Sequence, residues 1–156
     1  MLRAIEGFHA DDEGHWVAEL SCLHGQHVRH QPPFRDRAWV LTEDGRAAHL
    51  GAELDCPLCD RAELPDGLVL ARVAGPFDAG SVPAGLRRDH RVAARTWGRL
   101  RVASGTLGFT MATRPPVERT VGAGEEQAIP PDLAHAVHVT GPVTFTVEFL
   151  VRPVAG

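Results

Sequence analysis

The stretch SCLHGQHVRH, residues 21–30, holds one cysteine and three histidines, and LDCPLCD further on supplies Cys56 and Cys59, the other two cysteines of the chain. Thiolates and imidazoles are the usual ligands of zinc, which takes four nitrogen or sulfur donors in a tetrahedron, commonly from two turns that approach each other. Cys56-Pro57-Leu58-Cys59 is a C-x2-C turn that can aim both sulfurs at one ion. Cys22 and His24 are alternate residues, which share a face at the end of a strand. Cys22, His24, Cys56 and Cys59 then form a coordinatively closed, structural zinc site. His27 or His30 could take the place of His24 as fourth ligand. If neither does, the two with Arg29 form a second, weaker metal site, an anion-binding patch, or simply solvated histidines.

The elements that must position these ligands read as strands and turns. Leu2 to Phe8 and His15 to Leu20 flank Asp11-Asp12-Glu13-Gly14, a hairpin. Ala38 to Thr42 and Arg46 to Leu50 flank Glu43-Asp44-Gly45, read as a second hairpin. Each hairpin is followed by a ligand pair. RING-type fingers are similar in ligand geometry alone, placing a C-x-H pair and a C-x2-C pair on a common zinc.

Past residue 66 the cysteines stop and the charge reverses. Residues 1–66 carry six arginines against thirteen acids, whereas residues 67–156 carry ten against seven. Two modules are therefore expected, 1–66 and 67–156. An acidic first module is a poor match for phosphate backbones, so nucleic acid is disfavoured as a partner. The chain has no lysine, asparagine or tyrosine, which excludes Schiff-base chemistry and a Walker phosphate loop. No apolar run reaches the roughly 20 residues that span a bilayer, no signal peptide opens the chain, and a cytoplasmic location with reduced thiols is expected.

The second module reads as strands over Leu68 to Val73, Thr96 to Ala103, Leu107 to Ala112, Val117 to Val121, Ala134 to Val139 and Val143 to Val151, with Ser104-Gly105 as a turn. No helix longer than two turns is expected. The fold class is all-β: a small zinc-pinned β-hairpin module followed by a second β module.

Two resemblances extend this reading. GFH, DDEGHWVAEL, SCLHGQHVRHQPP and LDCPLC resemble a small bacterial Cys/His-rich family of unknown function, over nearly all of residues 1–66. Leu23 stands where that pattern has glycine. GAGEEQAIPPDLAH is similar to the second cupin motif, G-x5-P-x-G-x2-H, with Asp132 in place of its second glycine and Val139 in place of a later asparagine. LRRDHRVAARTWGRLRVASGTLGF, AIPPDLAHAV and VTFTVEFLV together resemble the TehB-like tellurite-resistance domain, also seen in YeaR-like proteins, over roughly residues 67–153. That resemblance implies a short cupin barrel, a double-stranded β-helix, in which His90, His135 and Glu148 hold a divalent metal of unspecified identity. Strand alternation leaves a second place for Glu148, outside the barrel and paired with arginine.

The expectation is a metal-binding protein of toxic-oxyanion or related stress, with a small-molecule or oxyanion ligand and a possible homodimer. Arg87-Arg88-Asp89-His90-Arg91 could draw an anion to the barrel mouth. The residues leave catalysis open: no nucleophile–base pair is visible, so any chemistry would fall to the barrel metal. The alternative is a non-enzymatic small-ligand sensor or protein-interaction adaptor.

Overall fold

Leu2–Ala10 (β1) and Trp16–Leu20 (β2) pair antiparallel, joined by a turn that Asp11 closes with its own side chain. Its Oδ1 accepts from the amides of Glu13 and His15, at 3.0 and 2.8 Å, and Gly14 takes the left-handed conformation such a turn needs. Gly25–His27 (β3) adds to β2 and Glu53–Asp55 (β4) adds to β1, giving the order β3-β2-β1-β4. The computed structural model describes residues 1–155, and by contacts the chain divides into units Met1–Pro57 and Leu58–Gly156. In the first unit the large buried apolar side chains are few: Ile5, Val17, Leu20, Leu23, Val28 and Val40.

The expected second hairpin is a helical turn pair instead. Ala38–Leu41 is a 3-10 turn burying Val40, and Glu43–Ala48 (α1) follows it. Thr42 caps α1, its Oγ1 accepting from the amide of Gly45 at 3.1 Å, and Glu43 and Asp44 place negative charge in the first turn. Gly45 is needed for contact rather than for a hairpin bend: a Cβ there would lie 2.1 Å from the Trp39 carbonyl oxygen. Trp39 stacks on His49 at 3.7 Å, and the Arg46 guanidinium lies 3.6 Å above Trp16.

In the second unit Trp97–Met111 (β6 in chain order, after Val69–Asp78 as β5) is one continuous strand, not two strands around a turn. Its first part pairs with Val143–Val151 (β10) and Glu126–Ile129 (β8); its second part pairs with Val117–Gly122 (β7) and His135–His138 (β9). At the expected turn Gly105 has a φ of +71° and opposes Val143, just before a register shift between Thr144 and Phe145. The extra residue is Ala103, between Val102 and Ser104; the chain bulges there and carries on, which re-aims the strand between two sets of partners. Leu100, Val102, Leu107, Phe109 and Met111 alternate into the core from both parts. β5 lies at one end of the strand order, paired to β10. The fold is mostly β. No helix among the described residues is long and apolar enough to cross a membrane.

Candidate metal cluster and ligand cavity

Two local devices bring the cysteines together. After β2 the chain turns back at once: the Leu23 amide donates to the Leu20 carbonyl at 2.7 Å and the Leu20 amide to His24 at 2.9 Å. This knuckle needs a left-handed residue, and Leu23 supplies it with a φ of +72°. It is the position where the family pattern has glycine, so the backbone keeps the glycine conformation despite the side chain. On the other side, β4 pairs with β1 and the Cys56 amide donates to the Met1 carbonyl at 2.7 Å, which fixes Cys56. Pro57–Asp60 (α2) then starts with proline, suited to a first helical position, and its single turn carries Cys59 back beside Cys56.

The ligand atoms of Cys22, His24, Cys56 and Cys59 all lie within 4.8 Å of one another, and all four residues are buried. Cys22 Sγ is 3.8 Å from Cys56 Sγ, and His24 Nδ1 is 3.4 and 3.5 Å from those two sulfurs. A tetrahedral ion with bonds of about 2.3 Å to sulfur and about 2.0 Å to nitrogen has sulfur–sulfur edges of about 3.8 Å and sulfur–nitrogen edges of about 3.5 Å. The three edges among Cys22, His24 and Cys56 are those of such a tetrahedron, and with Cys59 Sγ within 4.8 Å of each the four residues could hold a metal ion. For His24, burial favours the neutral ring, but hydrogen bonds and charge from Cys22 and Cys56 together outweigh it and hold its pKa up to about 9.

Among the candidate fourth ligands, His24 is the one in the cluster. The exposed His27 bonds Asp11 through Nε2 at 2.8 Å, tying β3 to the first turn; this bond is the main reason the Asp11 carboxyl falls to about 2. His30 Nδ1 accepts from the Arg37 amide at 3.0 Å, and Arg29 is exposed. Among the described residues, His27 and His30 belong to no group of three potential metal ligands. Asp11 against His27 also opposes an anion there.

In the second unit His90 and His135 do meet. Their backbones bridge in both directions, at 2.8 and 3.0 Å, and their rings stand edge to face at 5.2 Å. The turn that delivers His135 has Asp132 at a φ of +54°, again where the motif has glycine, a conformation aspartate tolerates. His135 is 4% exposed, with Phe109 alongside at 5.9 Å. Burial, joined by the charge of His90, lowers its pKa, although the bond to Leu133 acts the other way.

Glu148 is not brought to this pair. It alternates with Val147 and Phe149, which line a cavity beside the histidines, and its carboxylate accepts from Arg99 Nε with Arg101 Nη1 at 3.5 Å. Among the described residues, no group of three potential ligands forms around His90 and His135 as it does around Cys22. The cavity holds about 190 Å³, and residue types alone did not reveal it, since its walls come from strands far apart in sequence.

Residues 6–63 match the family described as a protein of unknown function, DUF3565, and residues 73–147 match the TehB-like domain. A crystal structure of an Escherichia coli K12 protein, solved as a structural-genomics target, superposes with a TM-score of 0.51 at 22% identity. The match covers 58% of this chain and 97% of that one. TehB from Haemophilus influenzae gives a TM-score of 0.49 at 19% identity, over 56% of this chain and 32% of TehB. No curated protein sequence matches the chain.

Proposed function

For a chain that joins a DUF3565 region to a TehB-like domain, we propose a non-enzymatic binding protein whose first module is held together by structural zinc. The modules are residues 1–66 and 67–156, the second a cupin-like barrel. Cys22, His24, Cys56 and Cys59 hold the zinc, which supplies charge to three thiolates and fixes the turns that carry them. The observation that carries this is the three tetrahedral edges among Cys22, His24 and Cys56, with the buried Cys59 sulfur within 4.8 Å of each. Four protein ligands leave no open position, which suits a structural rather than a reactive ion. The small apolar core of the first unit gives the ion a stabilising task. Reduced thiols suit the cytoplasm.

In the second module the cavity supports ligand binding rather than catalysis, because Glu148 is engaged by arginines and leaves the histidines without a third donor. A divalent metal between His90 and His135 is the second reading, favoured by their ring approach of 5.2 Å. A role in oxyanion or related stress draws its support from the TehB-like match alone. The exposed Leu70 and Val73 on edge strand β5 favour a homodimer through strand pairing.

Elemental analysis of the purified protein tests the reading. About one zinc equivalent is expected, lost in Cys59→Ser and kept in His135→Ala. Zinc retained in full by Cys59→Ser would overturn the first assignment. A second equivalent lost with His135→Ala would favour the barrel metal.

A further inference from the structure

The cavity beside His135 has an unusual wall for a site in an oxyanion-associated fold. Phe77, Leu100, Ile129, Val137, Val147 and Phe149 are among its lining residues, and among the described residues His90 and His135 bring its only polar side chains. No arginine among the described residues lines it. An anion would therefore be buried without a permanent cation, and a metal cation without a carboxylate; both are costly in an apolar surround.

The hydrogen bond of His135 fixes what its ring offers. Nδ1 lies 3.0 Å from the Leu133 carbonyl oxygen, which can only accept, so Nδ1 carries the proton. Nε2 of the neutral ring is then a bare acceptor, with no hydrogen-bond partner among the described residues, on a side chain that is almost fully buried. Nε2 is not among the fully enclosed side-chain atoms that lack a partner, so it can be reached by a small molecule, and a donor placed there would satisfy it. In volume, an apolar cavity of about 150 Å³ admits benzene, so about 190 Å³ leaves room for a ring with one small polar group.

We propose that this cavity binds a neutral, mostly apolar small molecule of phenol-to-indole size, whose single O–H or N–H donates to His135 Nε2. The proposal rests on the ligand-binding reading of the second module and is independent of the zinc assignment. His90, edge-on to His135, lines the same cavity.

Titration calorimetry on the zinc-loaded full chain with phenol, toluene and benzoate tests it. The first two share a shape and differ in the donor; the third carries the charge. Phenol is expected to bind about tenfold more tightly than toluene, the scale of one hydrogen bond, and more tightly than benzoate by a larger factor. His135→Phe should bring phenol to within about twofold of toluene, both measured on that variant. Because the comparison of compounds uses the unaltered protein, it decides the matter even if that variant fails to fold. Equal binding of phenol and toluene would overturn the donor assignment while leaving a ligand cavity. Preferential binding of benzoate would overturn the neutral class. Binding of none of the three would overturn both the proposal and the ligand-binding reading, with the zinc content unaffected.

Discussion

Cys22 and Cys56 are 34 positions apart in sequence, and their sulfur atoms are 3.8 Å apart in space. A disulfide would need about 2.05 Å. The separation instead matches two corners of a coordination tetrahedron, so an ion held there would tie the end of β2 to the end of β4. Adding a strong chelator should lower the stability of the first unit by the linkage of binding to folding, while β6 and its partners persist. Hydrogen exchange before and after chelation would check this. Loss of protection confined to residues 97–111, with residues 2–20 unaffected, would contradict it.

Leu23 places two effects in opposition. Its left-handed backbone costs about 1–2 kcal/mol, whereas its side chain, 5% exposed, gains about 1.5–3 kcal/mol by burial. Leu23→Gly should therefore cost about 1 kcal/mol net, and Leu23→Ala about 1 kcal/mol more than Leu23→Gly, since alanine keeps the strain. Urea denaturation of both variants tests the order. Glycine coming out worse than alanine would mean the knuckle is not left-handed in solution.

His135 titrates below its usual range in the folded state because it is buried. Unfolded, it would take a proton near its ordinary value of 6.5. Between that value and the lowered one the unfolded chain binds more protons, so the stabilisation is present above pH 6.5 and is lost as pH falls toward the folded pKa. His135→Gln, whose amide can still donate to Leu133, should flatten stability against pH over this window. An unchanged slope would assign the dependence to another group.

Glu148 and Arg99 form a partly buried ion pair, with side-chain exposures of 13% and 26%. A double-mutant cycle with Glu148→Gln and Arg99→Met should give a coupling of about 1 kcal/mol, because so little water screens the pair. Glu148→Gln should leave metal content and ligand binding unchanged. Altered metal content would place the carboxylate inside the cavity after all.

Much of this site was legible in residue types and spacing: three cysteines and one C-x-H pair suffice to pick the cluster, because few other arrangements put four soft donors beside turns. Choosing His24 over His27 and His30 required the knuckle at Leu23 and the competing bond from Asp11, which pattern does not encode. The two positions where glycine is expected, Leu23 and Asp132, both keep positive φ, so the motif reported backbone shape even where its letter had changed. Glycine misled where it stood for something else. Gly45 permits close packing on Trp39 and Gly105 close approach of the Pro142 carbonyl, and each imitates a hairpin signal. Thr42 with two following acids was the cue for α1. The side taken by Glu148 depended on which strands flank β10, and strand order is not written in one segment.

Gly105 lets a single chain segment serve two sets of partners in turn. A cut at Ser104 would thus separate Leu100, on the cavity wall, from Phe109, which backs His135, and would unlace both pairings at once. Melting of this half should accordingly be all-or-none, and limited proteolysis should yield either the intact fragment or small peptides.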